Sequence, residues 1–246
     1  MGASLLSRAV QVIDAVSKSQ DGLRFSDIAK LLGQPSPSTV NKIIKELTGE
    51  KVLERNGAGR YVLGRKTYFW GRCMAGRNTP IQIIRSCMEQ LHDELSASVN
   101  LFTCIDQRLF CLESIVDPDS PALWQAGKSL PLHISVMGAV FFIPQEQLED
   151  MDFLAREIAR QETKPDLQEV QEVLLQARTL EFLDDRGLFF PGMHRFAVPL
   201  NEEGKTAMAL GLGVMPARLE QNPSLGQRIA SKLESARHEI ESFIND

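Results

Sequence analysis

The chain has 246 residues, 43% hydrophobic and 24% charged, a balance expected of a folded protein rather than a disordered one. No apolar run approaches the roughly 18 residues that a bilayer span needs, and the N-terminal pattern lacks the uninterrupted core of an export signal, so the sequence predicts a cytoplasmic protein. The net charge of −5 hides a split: residues 1–77 carry 13 basic and 6 acidic side chains, and the remainder carries 14 and 26.

A basic head on an acidic body points to a polyanionic partner at the head. Its first predicted helix places Leu6, Ala9, Val10, Ile13 and Val16 at helical spacing, and Asp21-Gly22 breaks it. A second begins at Ser26 as N-cap and runs through Ile28, Ala29, Leu31 and Leu32 to Gly33. The third has Ser36 as N-cap and Pro37 at the first helical position, where a missing N–H is harmless. Its apolar stripe is Val40, Ile43, Ile44 and Leu47. Two β-prone runs, 52–55 and 60–63, are joined by Asn56-Gly57-Ala58-Gly59, whose glycines suit a hairpin. A connecting helix is expected from Arg65 to about Arg77, and another from Pro80 through Leu95.

The body alternates strands (98–105, 109–116, 196–200, 206–214) with helices (134–142, 146–161, 166–180, 224–244), which predicts an α+β domain with an antiparallel sheet. Cys73, Cys87, Cys104 and Cys111 form no CxxC pair and read as small hydrophobes rather than metal ligands or disulfides. No grouping of catalytic side chains or cofactor-binding glycine loop accompanies His133 or His194, so neither an enzyme nor a cofactor is expected.

Three helices followed by a hairpin make a winged helix-turn-helix. An inward apolar stripe on the third helix leaves Ser38, Thr39, Asn41, Lys42, Lys45 and Thr48 outward. These are the donor and acceptor types that base edges and phosphates require. The helix start after Ser36 can receive a phosphate. Arg55 and Arg60 flank the wing tip, and Arg8 is a further phosphate-contact candidate. The expected partner is double-stranded operator DNA.

Leu5-Leu6-Ser7-Arg8-Ala9, Ile28-Ala29-Lys30-Leu31-Leu32-Gly33, Pro37-Ser38-Thr39-Val40 and Gly59-Arg60-Tyr61-Val62-Leu63-Gly64 resemble the IclR family of bacterial transcription regulators. The likeness continues through Leu130-Pro131-Leu132-His133, Met137-Gly138, Pro191-Gly192-Met193 and Ala197-Val198-Pro199-Leu200. The resemblance implies a winged helix-turn-helix over residues 1–64, a linker helix over 65–77 used in dimerisation, and a GAF-like effector-binding domain over 78–246. It also implies homodimers, often paired into dimers of dimers, on palindromic operators, with repression the expected sense. In such relatives the effector pocket uses the loop at Val136 and Met137, an acidic residue matched by Asp185, a position after the Pro-Gly turn matched by Arg195, and two serines on the final strand. Here those serines are matched to Leu212 and Val214, and Arg195 stands where cysteine is common.

Three readings of that pocket stay open. Arg195 binds the carboxylate of a small organic or aromatic effector while Met137, Met193, Leu212 and Val214 hold its apolar tail; or it pairs with Asp185, giving a filled pocket without an effector; or it points to solvent.

Overall fold

The computed structural model describes residues 4–75, 80–120 and 124–245. The chain divides into two compact units, residues 1–79 and 80–246. The end of the expected linker helix, residues 76–77, lies outside the described residues.

The first unit holds α1 (Leu5–Ser17), α2 (Phe25–Leu31), α3 (Pro37–Gly49), the strands β1 (Leu53–Arg55) and β2 (Tyr61–Leu63), and α4 (Arg65–Ala75). Its core gathers Val12, Val16, Ile28, Val40, Ile43, Ile44, Leu53 and Tyr61. Ser36 caps α3 as expected, its Oγ accepting the Thr39 N–H. Helix α2, expected from a Ser26 cap, instead starts one residue after Arg24, whose N–H is accepted by the Asp27 carboxylate at 2.9 Å. Helix α1 also differs: Leu6 and Val10 are exposed, and Val12 and Val16 carry the buried face. An α1 that is apolar on two sides leaves its second stripe outside the core. The segment before α2 docks on the hairpin, Leu23 and Tyr61 exchanging backbone hydrogen bonds of 3.0 and 2.8 Å.

The second unit begins with α5 (Pro80–Leu95), followed by β3 (Ser98–Ile105), β4 (Arg108–Ile115), β5 (Ser129–Pro131), α6 (Gln145–Glu149), α7 (Met151–Ala159) and α8 (Leu167–Leu180). Next come β6 (Leu183–Asp184), β7 (His194–Glu202), β8 (Lys205–Val214), α9 (Pro216–Gln221) and α10 (Leu225–Ile244). The six strands form one antiparallel sheet in the order β5-β4-β3-β8-β7-β6. One face packs on α5 and α10 through Ile84, Met88, Leu101, Phe196, Leu212 and Ile229. The other packs on α6–α8 through Phe102, Met137, Leu148, Leu154, Val170 and Ala209. With both faces covered, the strands read as nearly continuous apolar runs.

Two expected helices change here. Residues 134–142 hold only a single 3-10 turn, Ala139–Phe141. Gly138 ahead of it adopts φ +79°, and a Cβ there would meet the Ala209 Cβ at 2.9 Å, so only glycine fits and a continuous helix is broken. The helix expected over 146–161 splits at Asp150, whose extended backbone ends α6 and whose carboxylate caps α7 by accepting the N–H groups of Asp152 and Phe153.

Candidate nucleic-acid interface and ligand cavity

Helix α3 and the hairpin form the presented face of the first unit. Ser36, Ser38, Asn41, Lys42, Lys45 and Arg55 are exposed, while Arg8, Thr39, Thr48 and Arg60 are half-buried. The Ser36 hydroxyl lies 2.9 Å from both the Ser38 and Thr39 hydroxyls, a cluster at the helix start. Thr48 turns inward, donating to the Ile44 carbonyl at 2.7 Å. The wing tip is preset by Asn56, whose Oδ1 accepts from the N–H groups of Ala58 and Arg60. Arg55 folds over the Tyr61 ring, its Cζ 5.3 Å from the centroid and its Nε donating to the Gly59 carbonyl.

Between α3 and the wing lies a cleft of about 550 Å³. It gathers four of the residues that the sequence places outward or at the wing, Asn41, Lys45, Thr48 and Arg55, and adds two that sequence reading missed, Lys51 and Arg65. Lys42, Arg8 and Arg60 are not among its lining. The acidic member, Glu54, is held by Arg65 at 3.0 Å, and that hydrogen bond keeps its carboxyl below the ordinary range. Donors on a helix beside a basic hairpin match the chemistry of duplex DNA.

The body presents a different chemistry. Asp185 is fully buried and Arg195 is 5% exposed. The Asp185 carboxylate accepts the Arg195 backbone N–H at 2.8 Å, the Arg195 Nε–H at 2.5 Å and the Gly187 N–H at 3.1 Å. Arg195 Nη1 donates to the Ser135 carbonyl at 2.7 Å, and the guanidinium lies 5.7 and 5.9 Å from the Phe189 and Phe190 ring centres. Pointing to solvent, the third reading of Arg195, is thereby overturned.

The sequence match to the final-strand serines falls on the wrong face. Leu212 lies opposite Phe196, and Val214 opposite His194; both pack towards α5 and α10. Their neighbours Gly211 and Gly213, opposite Ala197 and Arg195, share the face of Arg195, because side chains alternate along a strand. Over Gly211 lies Met137: a Cβ at position 211 would meet the Met137 Sδ at 2.9 Å. Met137 and Met193 are buried.

An apolar cavity of about 610 Å³ opens beside this cluster, lined by Leu130, Pro131, Val136, Phe189, Phe190 and Pro191 among others. Of the sequence-predicted effector residues only Val136 lines it. His133, Ser135, Arg160, Gln161, Glu162 and Thr163 supply its polar wall. The buried Glu157 carboxylate binds His133 Nε2 at 3.1 Å and Arg160 at 2.7 Å, and His133 Nδ1 lies 2.9 Å from the Ser135 hydroxyl. The His133 side of the wall is thus satisfied from within, whereas the buried amide of Gln161 has no hydrogen-bond partner among the described residues on either its Nε2 or its Oε1.

A winged helix-turn-helix joined to a domain with a six-stranded antiparallel sheet covered on both faces defines a DNA-binding transcription regulator. Residues 5–57 match the IclR helix-turn-helix domain and residues 76–242 the "Bacterial transcriptional regulator IclR C-terminal" domain; the chain belongs to the IclR family. It is similar to the HTH-type transcriptional regulator XynR of Escherichia coli (strain K12), 23% identical over 227 residues and 87% of each chain. The regulator KipR of Bacillus subtilis (strain 168) is 27% identical over 130 residues, 52% of each chain. Among solved structures, an IclR regulator from Alicyclobacillus acidocaldarius superposes with a TM-score of 0.75 at 17% identity over the whole of both chains. A Microbacterium hydrocarbonoxydans homologue complexed with 4-hydroxybenzoate does so at 0.68 and 19% identity, over 97% and 98% of the two chains. Among the described residues no helix is long and apolar enough to cross a membrane.

Proposed function

We propose that the chain is a homodimeric repressor whose affinity for operator DNA is set by a small aromatic molecule in the 610 Å³ cavity of its second unit. The observation that carries this reading is the cavity itself: its volume suits a small ligand, and apolar and aromatic side chains dominate its wall. Exposed Phe190 at its edge offers a ring face for stacking. That a neighbour of the same fold holds 4-hydroxybenzoate supports an aromatic occupant. Arg195 is already committed to Asp185, so Arg160, 70% exposed on the cavity wall, is the cation a carboxylated ligand meets.

Dimerisation is supported by the exposed Tyr68, Phe69 and Trp70 of α4 and the exposed Leu6 and Val10 of α1, apolar surface that a lone copy leaves in water. In this mechanism ligand occupancy alters the spacing or orientation of paired heads, which must match half-sites a whole number of turns, each roughly 10 bp, apart. Titration of 4-hydroxybenzoate and phenol into wild type and Val136→Trp tests the site by thermal shift and operator binding. A rise in melting temperature and a change in operator affinity are expected in wild type alone; equal responses in both proteins would remove the cavity from the mechanism. Derepression of an operator-driven reporter on deleting the protein is the expected sense.

A second reading is favoured by the Asp185–Arg195 pair and by Met137 over Gly211. In it the polar centre is self-satisfied and the protein binds its operator without any effector. A panel of aromatic acids and phenols that leaves operator affinity unchanged selects it.

A further inference from the structure

Helix α3 ends in a backbone motif that normally calls for glycine. The Lys51 N–H donates to the Thr48 carbonyl at 3.1 Å and the Val52 N–H to the Leu47 carbonyl at 2.9 Å, the paired bonds of a Schellman turn. The geometry holds Lys51 in the left-handed region, at φ 61°, where a Cβ is strained and glycine is not. The backbone there is pinned from the other side as well: the Lys51 carbonyl accepts the Lys66 N–H at 3.2 Å and lies against Gly64. None of these contacts uses the lysine side chain.

Two of the other left-handed residues put theirs to use within the fold. Glu181, at φ 51°, holds Arg237, and Arg186, at φ 50°, reaches Gln176 at 3.1 Å. The Lys51 ammonium makes no hydrogen bond or ion pair among the described residues, and its one internal interaction is a weaker charge attraction to Glu54, whose carboxylate is already held by Arg65. It lines the cleft between α3 and the wing together with Lys45, Arg55 and Arg65. Backbone strain retained at a cationic side chain that no hydrogen bond or ion pair fixes, in a cleft shared with three other cations, points to a use outside the fold.

We propose that Lys51 is a phosphate contact, gripping the DNA backbone at the junction between the groove-reading helix and the wing. Its position suits such a grip, because the rigid turn fixes where the lysine stem starts and three neighbouring cations share the cleft. The inference rests on the assignment of this face to DNA, which Lys45→Ala tests separately.

The experiment measures binding of the full chain to a duplex that the wild type selects from a random-sequence pool, over a range of salt. Lys51→Gly and Lys51→Gln are expected to bind roughly three- to tenfold more weakly, with the slope of log affinity against log salt shallower by about 1. Lys51→Arg is expected to bind like wild type. Lys51→Gly is also expected to melt at or above the wild-type temperature, since glycine relieves the left-handed backbone. Wild-type affinity and slope in Lys51→Gly, weaker binding with an unchanged slope, or a lower melting temperature would each overturn the proposal. If Lys45→Ala keeps full affinity, the face assignment fails; if it weakens binding while the Lys51 variants do not, the role of Lys51 alone fails.

Discussion

The carboxylate of Asp185 holds Arg195 at both ends, accepting its backbone N–H at 2.8 Å and its Nε–H at 2.5 Å. The pair therefore fixes the strand edge as well as the guanidinium, and with the Gly187 N–H on the same carboxylate it closes the turn between β6 and β7. Removing one member leaves the other charge buried without compensation. Asp185→Ala is expected to destabilise the second unit by about 3–5 kcal/mol, whereas the double change Asp185→Leu with Arg195→Met recovers most of that loss. Urea unfolding of the three proteins checks it. A single variant as stable as wild type would mean that the pair is solvated.

On α3 the exposed polar residues divide by role. Lys45→Ala is expected to lower the slope of log affinity against log salt by about 1, as loss of one phosphate contact does. Lys42, exposed outside the cleft, is expected to do the same if its side of α3 faces a backbone. Asn41→Ala is expected to relax base preference, with about 1–3 kcal/mol of discrimination lost at one position. Thr48→Ala serves as the control, because its hydroxyl is spent on the Ile44 carbonyl. Competition binding against a mutated-site panel separates these outcomes.

Much of the first unit is legible in the sequence because local chemistry decides it: Ser36 and Pro37 mark a helix start, and Asn56 with Gly59 marks a turn. The second unit is less legible where tertiary contact overrides pattern. Gly138 is left-handed and Ala209 leaves no room there for a Cβ, a long-range contact that no window of sequence around 138 reveals. The strands β5 and β6 are three and two residues long, too short for alternation to register. The face of β8 shared with Arg195 lies one residue away from the expected one, since both sheet faces are apolar and Leu-Gly-Leu-Gly-Val carries no polar mark to tell them apart. The basic character of Lys51 and Arg65 is plain in the sequence; their place in one cleft depends on the turn that ends α3.

At the root of α4, Gly64 leaves no room for a side chain. A Cβ there would lie 2.2 Å from the Lys51 carbonyl oxygen and 3.1 Å from the Glu54 Cγ. The first obstacle is backbone and cannot rotate away. Gly64→Ala is expected to destabilise the first unit by about 1–3 kcal/mol or more, in the range of overpacked cores. Operator binding should fall with it, because the displaced segments carry Lys51 and the wing. Circular dichroism melts alongside operator titrations measure both effects, and an unchanged melt would show that the junction can open.

The thiols separate by burial. The Cys87 thiol is pushed up to about 11, first by burial and then by the Glu239 carboxylate, and that of Cys111 to about 11, first by burial. A raised thiol favours the neutral form in the folded state, so folding protects these sulfurs from deprotonation. The stability this implies is constant below the unfolded value of about 9 and is lost as pH rises from there through about 11. Cys73 is exposed. At about pH 8 a thiolate-seeking reagent is expected to label Cys73 quickly in the native protein, with Cys87 and Cys111 protected until denaturant is added. Peptide mapping after a short pulse reads the order, and rapid native labelling of Cys111 would mean that the sheet face it covers opens readily.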